Sequence, residues 1–319
     1  MNDRDLKIFE TVARTGGIGR AAAELNTVQS NVTTHLRELE QELGFPLFER
    51  HSRGVTLTAA GHRLRPFAAK IGDLLRQAKQ AVRDDGTPNG PLAIGSMETT
   101  AGLRLPAVLA AYTNAFPDVE LSLVTGTTPS LTQAVLDREL DAALVAGPVD
   151  HPELVAERIF REQMVIVAAP KIRSFNDLIE KPDLRIVVLR SDCAYRRQLE
   201  SVLTEAGIVQ FKVMEMGTIE GIIGCVAAGM GISLLPKGVV MRAMRDREVI
   251  TFRPPQRAEM VDTVFIRRAD AYFSSAMSAF LQTARPSPAP TSISRRTPTP
   301  EVQKSQRRGK SSLPAMTPI

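Results

Sequence analysis

Ser30, Thr34, Arg37 and Gln41 recur at helical spacing, with Asn31 and Thr33 beside them. On a helical wheel starting at Val32, the residues Leu36, Leu39 and Leu43 fall within about 40° of it, and the polar group takes the opposite side. Compact hydrogen-bonding side chains and one arginine near a helix start suit a helix entering a DNA major groove. There the first turns reach base edges and the open amides meet phosphate. Downstream, Arg50 and Arg53 bracket a short basic turn before Gly54, a placement that suits phosphate or an adjacent minor groove. A solvated polar face on a core helix would look similar, so the surrounding elements must decide.

A second set of hydroxyls gathers beyond β-like runs, where open α/β sheets bind ligands. Ser96, Thr99 and Thr100 follow the run 92–95, and Thr127 and Thr128 follow 119–124. Cys193, Tyr195 and Arg196 follow 186–189, and Thr218 follows 213–216. Each hydroxyl alone is explained by helix capping. As a set at four strand ends they point to a cleft for a small, carboxylate-bearing molecule, with Arg196 as its cationic partner.

The elements that must position these residues follow from periodicity. Leu6, Phe9, Val12 and Ala13 mark one helix, stopped at Gly16-Gly17. Ile18, Ala22 and Leu25 mark a second, short helix, and the polar-faced helix is the third, ended by Gly44. Two helices joined by a tight turn make a helix-turn-helix, and residues 45–57 read as a small wing. Leu64, Phe67, Ile71, Leu74, Ala78 and Ala81 then alternate by three and four, a heptad seam. Its helix is about 39 Å long at 1.5 Å per residue, with Pro66 expected to kink it or loosen one bond. Residues 84–91 hold Asp, Gly and Pro and read as a hinge. From 92 to 284, β-like runs alternate with helical patterns at 100–116, 128–137, 195–206 and 219–228, which argues for largely parallel sheets.

The chain has 319 residues and a net charge of +5. That charge is split as +2 over 1–85, −3 over 86–284 and +6 over 285–319, so there is no uniform basic coat. The last segment carries seven prolines and few large apolar residues and is expected to be disordered. The uncharged run 221–236 is broken by glycines and too short to span a bilayer. No secretory leader is expected at the polar N-terminus, which makes the cytoplasm the default compartment. Two cysteines make no disulfide framework, and no metal-ligand spacing, P-loop or nucleophile elbow is present. The string Gly17-Ile18-Gly19-Arg20-Ala21-Ala22 matches a dinucleotide fingerprint but follows a helix, so it lacks the required strand. His35 reads as a surface or capping residue. No enzyme activity, cofactor or metal is expected.

A resemblance then joins these readings. Ala21-Ala22-Ala23-Glu24-Leu25, Val28-Gln29-Ser30-Asn31-Val32-Thr33, Leu39-Glu40, Leu43-Gly44, Leu47-Phe48-Glu49-Arg50 and Leu57-Thr58-Ala59-Ala60-Gly61 resemble, in order and spacing, the N-terminal pattern of the LysR-type transcriptional regulators. The family's helix-opening Ser-Gln pair falls on Val28-Gln29, which adds Gln29 to the base-reading candidates. Val28 cannot cap, so Thr27 is expected to do so.

The resemblance implies a multidomain α plus α/β chain. A winged helix-turn-helix spans 1–57 and a dimerising linker helix spans 58–84, followed by a hinge at 85–91. A two-lobed effector domain like the type II periplasmic binding proteins spans 92–284, with lobe I at 92–160 and 267–284 and lobe II at 161–266. The implied partners are double-stranded promoter DNA, a small effector, a second copy in a homodimer or homotetramer, and RNA polymerase as a further contact. A membrane is not among them.

Overall fold

The computed structural model describes residues 1–52, 54–172, 177, 183–189 and 194–285. The first three helices are α1 (Asp3–Thr15), α2 (Ile18–Glu24) and α3 (Gln29–Leu43). Asn2 and Asp5 form a reciprocal capping box at the start of α1, which satisfies two amides that the helix cannot. Gly16 and Gly44, both left-handed, end α1 and α3. Phe9, Val12, Val32, Leu36 and Leu39 close one core between these helices. The wing is a hairpin of β1 (Phe48–His51) and β2 (Gly54–Leu57). Glu40 of α3 accepts from the amides of Leu47 and Phe48 and so sets where the wing begins. Gly54 has φ +139°, and a Cβ there would overlap the Gly16 carbonyl oxygen, so the wing packs against the end of α1 only with glycine.

Helix α4 (Ala59–Arg83) runs through Pro66 as one element, capped by Thr58. Its first half packs on α1, with Ala68 inside the N-terminal core. Its burial is inverted relative to its sequence pattern. Asp73 and Gln77 are buried, whereas Phe67, Ile71, Leu74 and Leu75 are exposed.

The C-terminal domain opens with β3 (Gly90–Met97), α5 (Glu98–Leu103), α6 (Leu105–Ala115), β4 (Val119–Gly126), α7 (Thr128–Leu136) and β5 (Ala142–Ala146). A single helix was expected over 100–116. Pro106 lies in the first turn of α6, where it has no amide to donate and crowds the turn before it, so the helix breaks at Arg104. The chain crosses to the second lobe on the long β6 (Leu154–Ala168). There it forms β7 (Arg185–Val188), α8 (Ala194–Glu205), β8 (Lys212–Glu215), α9 (Ile219–Ala227), β9 (Ser233–Pro236), α10 (Lys237–Arg245) and β10 (Ile250–Phe252). It returns on β11 (Met260–Arg268) and ends in α11 (Ser275–Ala284).

The expectation of largely parallel sheets needs correction. β3 pairs parallel with β4 and β5, and β7 with β8. β11 is antiparallel to both β5 and β6, and β9 and β10 are antiparallel to β6. The reason is topological: one strand leaves the first lobe and the other comes back, so they must run in opposite directions. The segment 263–266, expected in the second lobe, pairs with β5 of the first. Tyr112, Phe265 and Phe280 centre the first lobe's core, and Met164, Ile186 and Leu199 the second's. No helix among the described residues is long and apolar enough to cross a membrane. Arg285, expected in the tail, instead pairs with Glu157 at 2.7 Å, while the remainder of that segment lies outside the described residues.

Candidate functional site

Two surfaces can do chemistry. On α3, Gln29, Ser30, Thr34, Arg37 and Gln41 are exposed, and Asn31 and Thr33 are partly so. Thr27 does not cap the helix. Val28 is the N-cap residue and supplies no side-chain bond, while the Thr27 hydroxyl accepts from Asn31 Nδ2 at 2.9 Å. The first-turn amides therefore keep no side-chain cap; that of Asn31 donates to the Val28 carbonyl at 3.1 Å, which leaves those of Gln29 and Ser30 to meet an anion such as phosphate. Thr33 donates its hydroxyl to the Gln29 carbonyl at 2.9 Å, which leaves an oxygen lone pair free to accept. Arg50 is exposed on β1, across the wing from Val55. Arg53 lies outside the described residues.

His35 departs from expectation. Its Nδ1 lies 2.9 Å from Asp5 Oδ1, and the side chain is 18% exposed, so it fastens the polar-faced helix to α1. Helical spacing could not reveal this, because the partner is 30 positions away.

The second surface is a cleft of about 520 Å³ between the lobes. Of the residues named from the sequence, Thr99, Thr127, Thr128 and Tyr195 line it, joined by Glu98 and Ser130. Thr99 Oγ1 and Tyr195 OH lie 3.0 Å apart and bridge α5 of one lobe to α8 of the other. Thr128 Oγ1 accepts from the Ala146 amide at 3.1 Å, and Thr127 and Ser130 form a reciprocal cap at the start of α7.

Four other expected residues that the structure describes, Ser96, Thr100, Arg196 and Thr218, are not in the cleft wall. Ser96 is buried, donating to the Met97 carbonyl at 3.1 Å, and Thr100 is buried within α5. Thr218 caps α9 by accepting from the Gly221 amide. Arg196 binds Glu200 at 2.9 Å and Glu215 at 2.6 Å, bonds that raise its pKa above the ordinary arginine value. It is therefore not aimed at the cleft. Cys193 lies outside the described residues, and Cys225 is half-buried against the apolar second-lobe cluster. Among the described lining residues, Glu98 carries the one formal charge. The sequence reading began that helix at residue 100, so it gave neither the place of Glu98 at a helix start nor its place in the wall.

These geometries have clear counterparts among known proteins. Residues 4–62 match the bacterial regulatory helix-turn-helix protein, lysR family, and residues 85–288 match the LysR substrate binding domain. The transcriptional regulator GltR of Bacillus subtilis is 44% identical over 284 residues, covering 88% of this chain and 95% of the relative. YofA of Bacillus velezensis is 40% identical, covering 88% and 96%. Among solved structures, a full-length OxyR variant of Pseudomonas aeruginosa aligns with a TM-score of 0.68 at 19% identity, covering 89% of this chain and 94% of that one. Full-length CbnR in complex with its target DNA aligns at 0.61 and 22% identity, covering 89% and 99%, so it shares the fold. The chain belongs to the LysR family of transcriptional regulators, with a DNA-binding helix-turn-helix and an effector-binding domain.

Proposed function

We propose that the protein works in the cytoplasm as a dimer, or a dimer of dimers, on promoter DNA and that it binds no membrane and catalyses no reaction. α3 enters the major groove through Gln29, Ser30, Asn31, Thr33, Thr34 and Arg37. Arg50 and Arg53 take phosphate or the neighbouring minor groove. The observation that carries the reading is the inverted burial of α4. An amphipathic helix whose polar side is buried on its own subunit, and whose Phe67 and Leu74 are 66% and 47% exposed, is built to bury that apolar side on a second copy. A two-fold pair of α3 helices then matches a dyad-like operator. The functional division is a reading head over 1–57, an arm over 58–84, a hinge at 85–91 and a sensor over 92–284.

The effector lies in the cleft. Its carboxylate sits at the start of α7, among Thr127, Thr128 and Ser130, where helix amides and hydroxyls favour an anion. Glu98 in the same wall disfavours a second negative charge, so a monocarboxylate is expected.

Two measurements test these statements. Full-length protein is titrated by fluorescence anisotropy onto the DNA upstream of its own gene, against unrelated competitor. Tight binding that survives competitor supports the reading head, and equal weak binding to both DNAs contradicts it. Thermal unfolding is then followed with small monocarboxylates, dicarboxylates and the matching neutral amides. At a hundred times Kd a true effector stabilises by about 2.7 kcal/mol. A cleft that responds to the amides as strongly as to the acids removes the carboxylate from the reading.

A further inference from the structure

Helix α4 is held at both ends. Its first half belongs to the reading head through Ala68 and α1, and its second half is docked on the sensor by a buried ionic cluster. Asp73, with its side chain 5% exposed, is the centre of that cluster. Its Oδ1 accepts from Arg76 at 2.7 Å, and its Oδ2 from Gln77 at 2.6 Å and Arg138 at 2.5 Å. Arg268 lies 3.1 Å from the same oxygen. Asp270 takes the other side of Arg138 at 2.8 Å, and Asp141 takes Arg76 at 2.7 Å. Burial and the neighbouring Arg138 charge hold the Arg268 pKa below its ordinary value, as expected for a crowded, poorly solvated site.

Arg138 reaches Asp73 from the far end of α7. It follows the last turn with φ at +67°, in a left-handed helix end closed by its own amide on the Val135 carbonyl and the Glu139 amide on the Ala134 carbonyl. The opposite end of α7 is the cleft wall, with Thr127, Thr128 and Ser130. Between them Leu131 and Val135 are locked in an apolar cluster. The helix has nine residues, so about 13 Å of rigid rod separates the cleft from the latch.

We propose that α7 is a push-rod: occupancy of the cleft moves its first turn, and Arg138 at its far end loosens or tightens on Asp73, which sets the angle of the reading head. A buried, charge-assisted bond changes steeply with small displacements, so a shift of this kind switches docking rather than grading it. The inference rests on the cleft being the effector site.

The docked state has direct reporters. The Tyr272 amide donates to Gln77 Oε1 at 2.6 Å, and the Ser275 amide donates to Asp84 Oδ2 at 2.8 Å. Both bonds run from sensor to arm, so hydrogen exchange at these two amides reads docking whatever the oligomeric state. The test uses full-length protein and the variants Asp73→Asn, Arg138→Gln, Gly126→Ala and the pair Gly126→Ala/Asp73→Asn. Gly126 supplies an effector surrogate, since a Cβ there would lie 2.9 Å from Ser130 Oγ and 3.1 Å from Leu131 Cδ2 and wedge the start of α7.

Asp73→Asn is expected to speed exchange at Tyr272 by about tenfold or more. Gly126→Ala should change exchange at the same amide from the cleft side. The double variant should move it no further than Asp73→Asn alone, because an open latch no longer feels the rod. Amides of α1 and β5 serve as the check that the fold persists, and Arg138→Gln gives the same reading if Asp73→Asn fails that check. Unchanged Tyr272 exchange in Gly126→Ala, with α7 amides visibly perturbed, overturns the push-rod. Additive effects in the double variant overturn it too. Failure of every carboxylate to bind would instead remove the effector reading and leave the wedge result standing.

Discussion

Leu74 offers the sharpest test of the arm as a dimer seam. It lies on the outward side of α4 and is 47% exposed. Burying a whole leucine side chain is worth about 1.5–3 kcal/mol. Roughly half of it is still in water, so seating it on a partner adds about 0.7–1.5 kcal/mol per copy. Two-fold symmetry presents the same residue twice. Alanine keeps the Cβ, so Leu74→Ala should weaken the dimer by about 1–2 kcal/mol, or roughly 5- to 30-fold in Kd. Sedimentation equilibrium over a range of protein concentrations reads this directly. The same arithmetic on the half already covered within the subunit limits the shift in its own unfolding to about 1 kcal/mol. A dimer Kd equal to wild type, in Leu74→Ala and again in Phe67→Ala, would show that the apolar side of α4 is not the seam.

Four further variants have expected outcomes that follow from single side chains. Thr34→Ala should relax base preference at one operator position, whereas Arg50→Ala should weaken binding evenly and flatten its salt dependence by about one unit of slope; both are read by anisotropy at several salt concentrations. Gly54→Ala should destabilise the reading head by about 1–3 kcal/mol in urea, since the new Cβ meets the Gly16 carbonyl and the backbone angle is unfavourable. Burial pushes the Tyr112 hydroxyl up to about 12. The protonated form is therefore favoured by folding, its contribution is complete below the ordinary value near 10 and is lost as pH rises toward 12. Tyr112→Phe should abolish that alkaline loss and cost about 1 kcal/mol at neutral pH through the missing bond to the Ala276 carbonyl.

Much of the N-terminal domain was legible in its residues. Val32, Leu36 and Leu39 declare the buried side of α3 by spacing alone, and the glycines at 16 and 44 declare where α1 and α3 end. These are local signals, set by side-chain period and by which residues tolerate a left-handed turn. The cleft was only half legible. Strand ends followed by hydroxyls located Thr99, Thr127 and Thr128, but the same pattern also selected Ser96 and Thr218, which face other tasks. A hydroxyl at a helix start looks alike whether it caps, packs or meets a ligand, because the difference lies in what stands opposite.

The periodic parts of this protein, from the α3 wheel to the α4 seam, follow from the order of residues, since each helix turns at a fixed pitch. The pairings do not. Arg196 turned to Glu215 rather than to the cleft, and His35 turned to Asp5. Asp73, which the seam pattern leaves as an ordinary polar position, became the buried partner of an arginine 65 residues further along. Charges and hydroxyls act over a few ångströms, and only folding brings such distant positions that close, so their roles were decided by the tertiary structure.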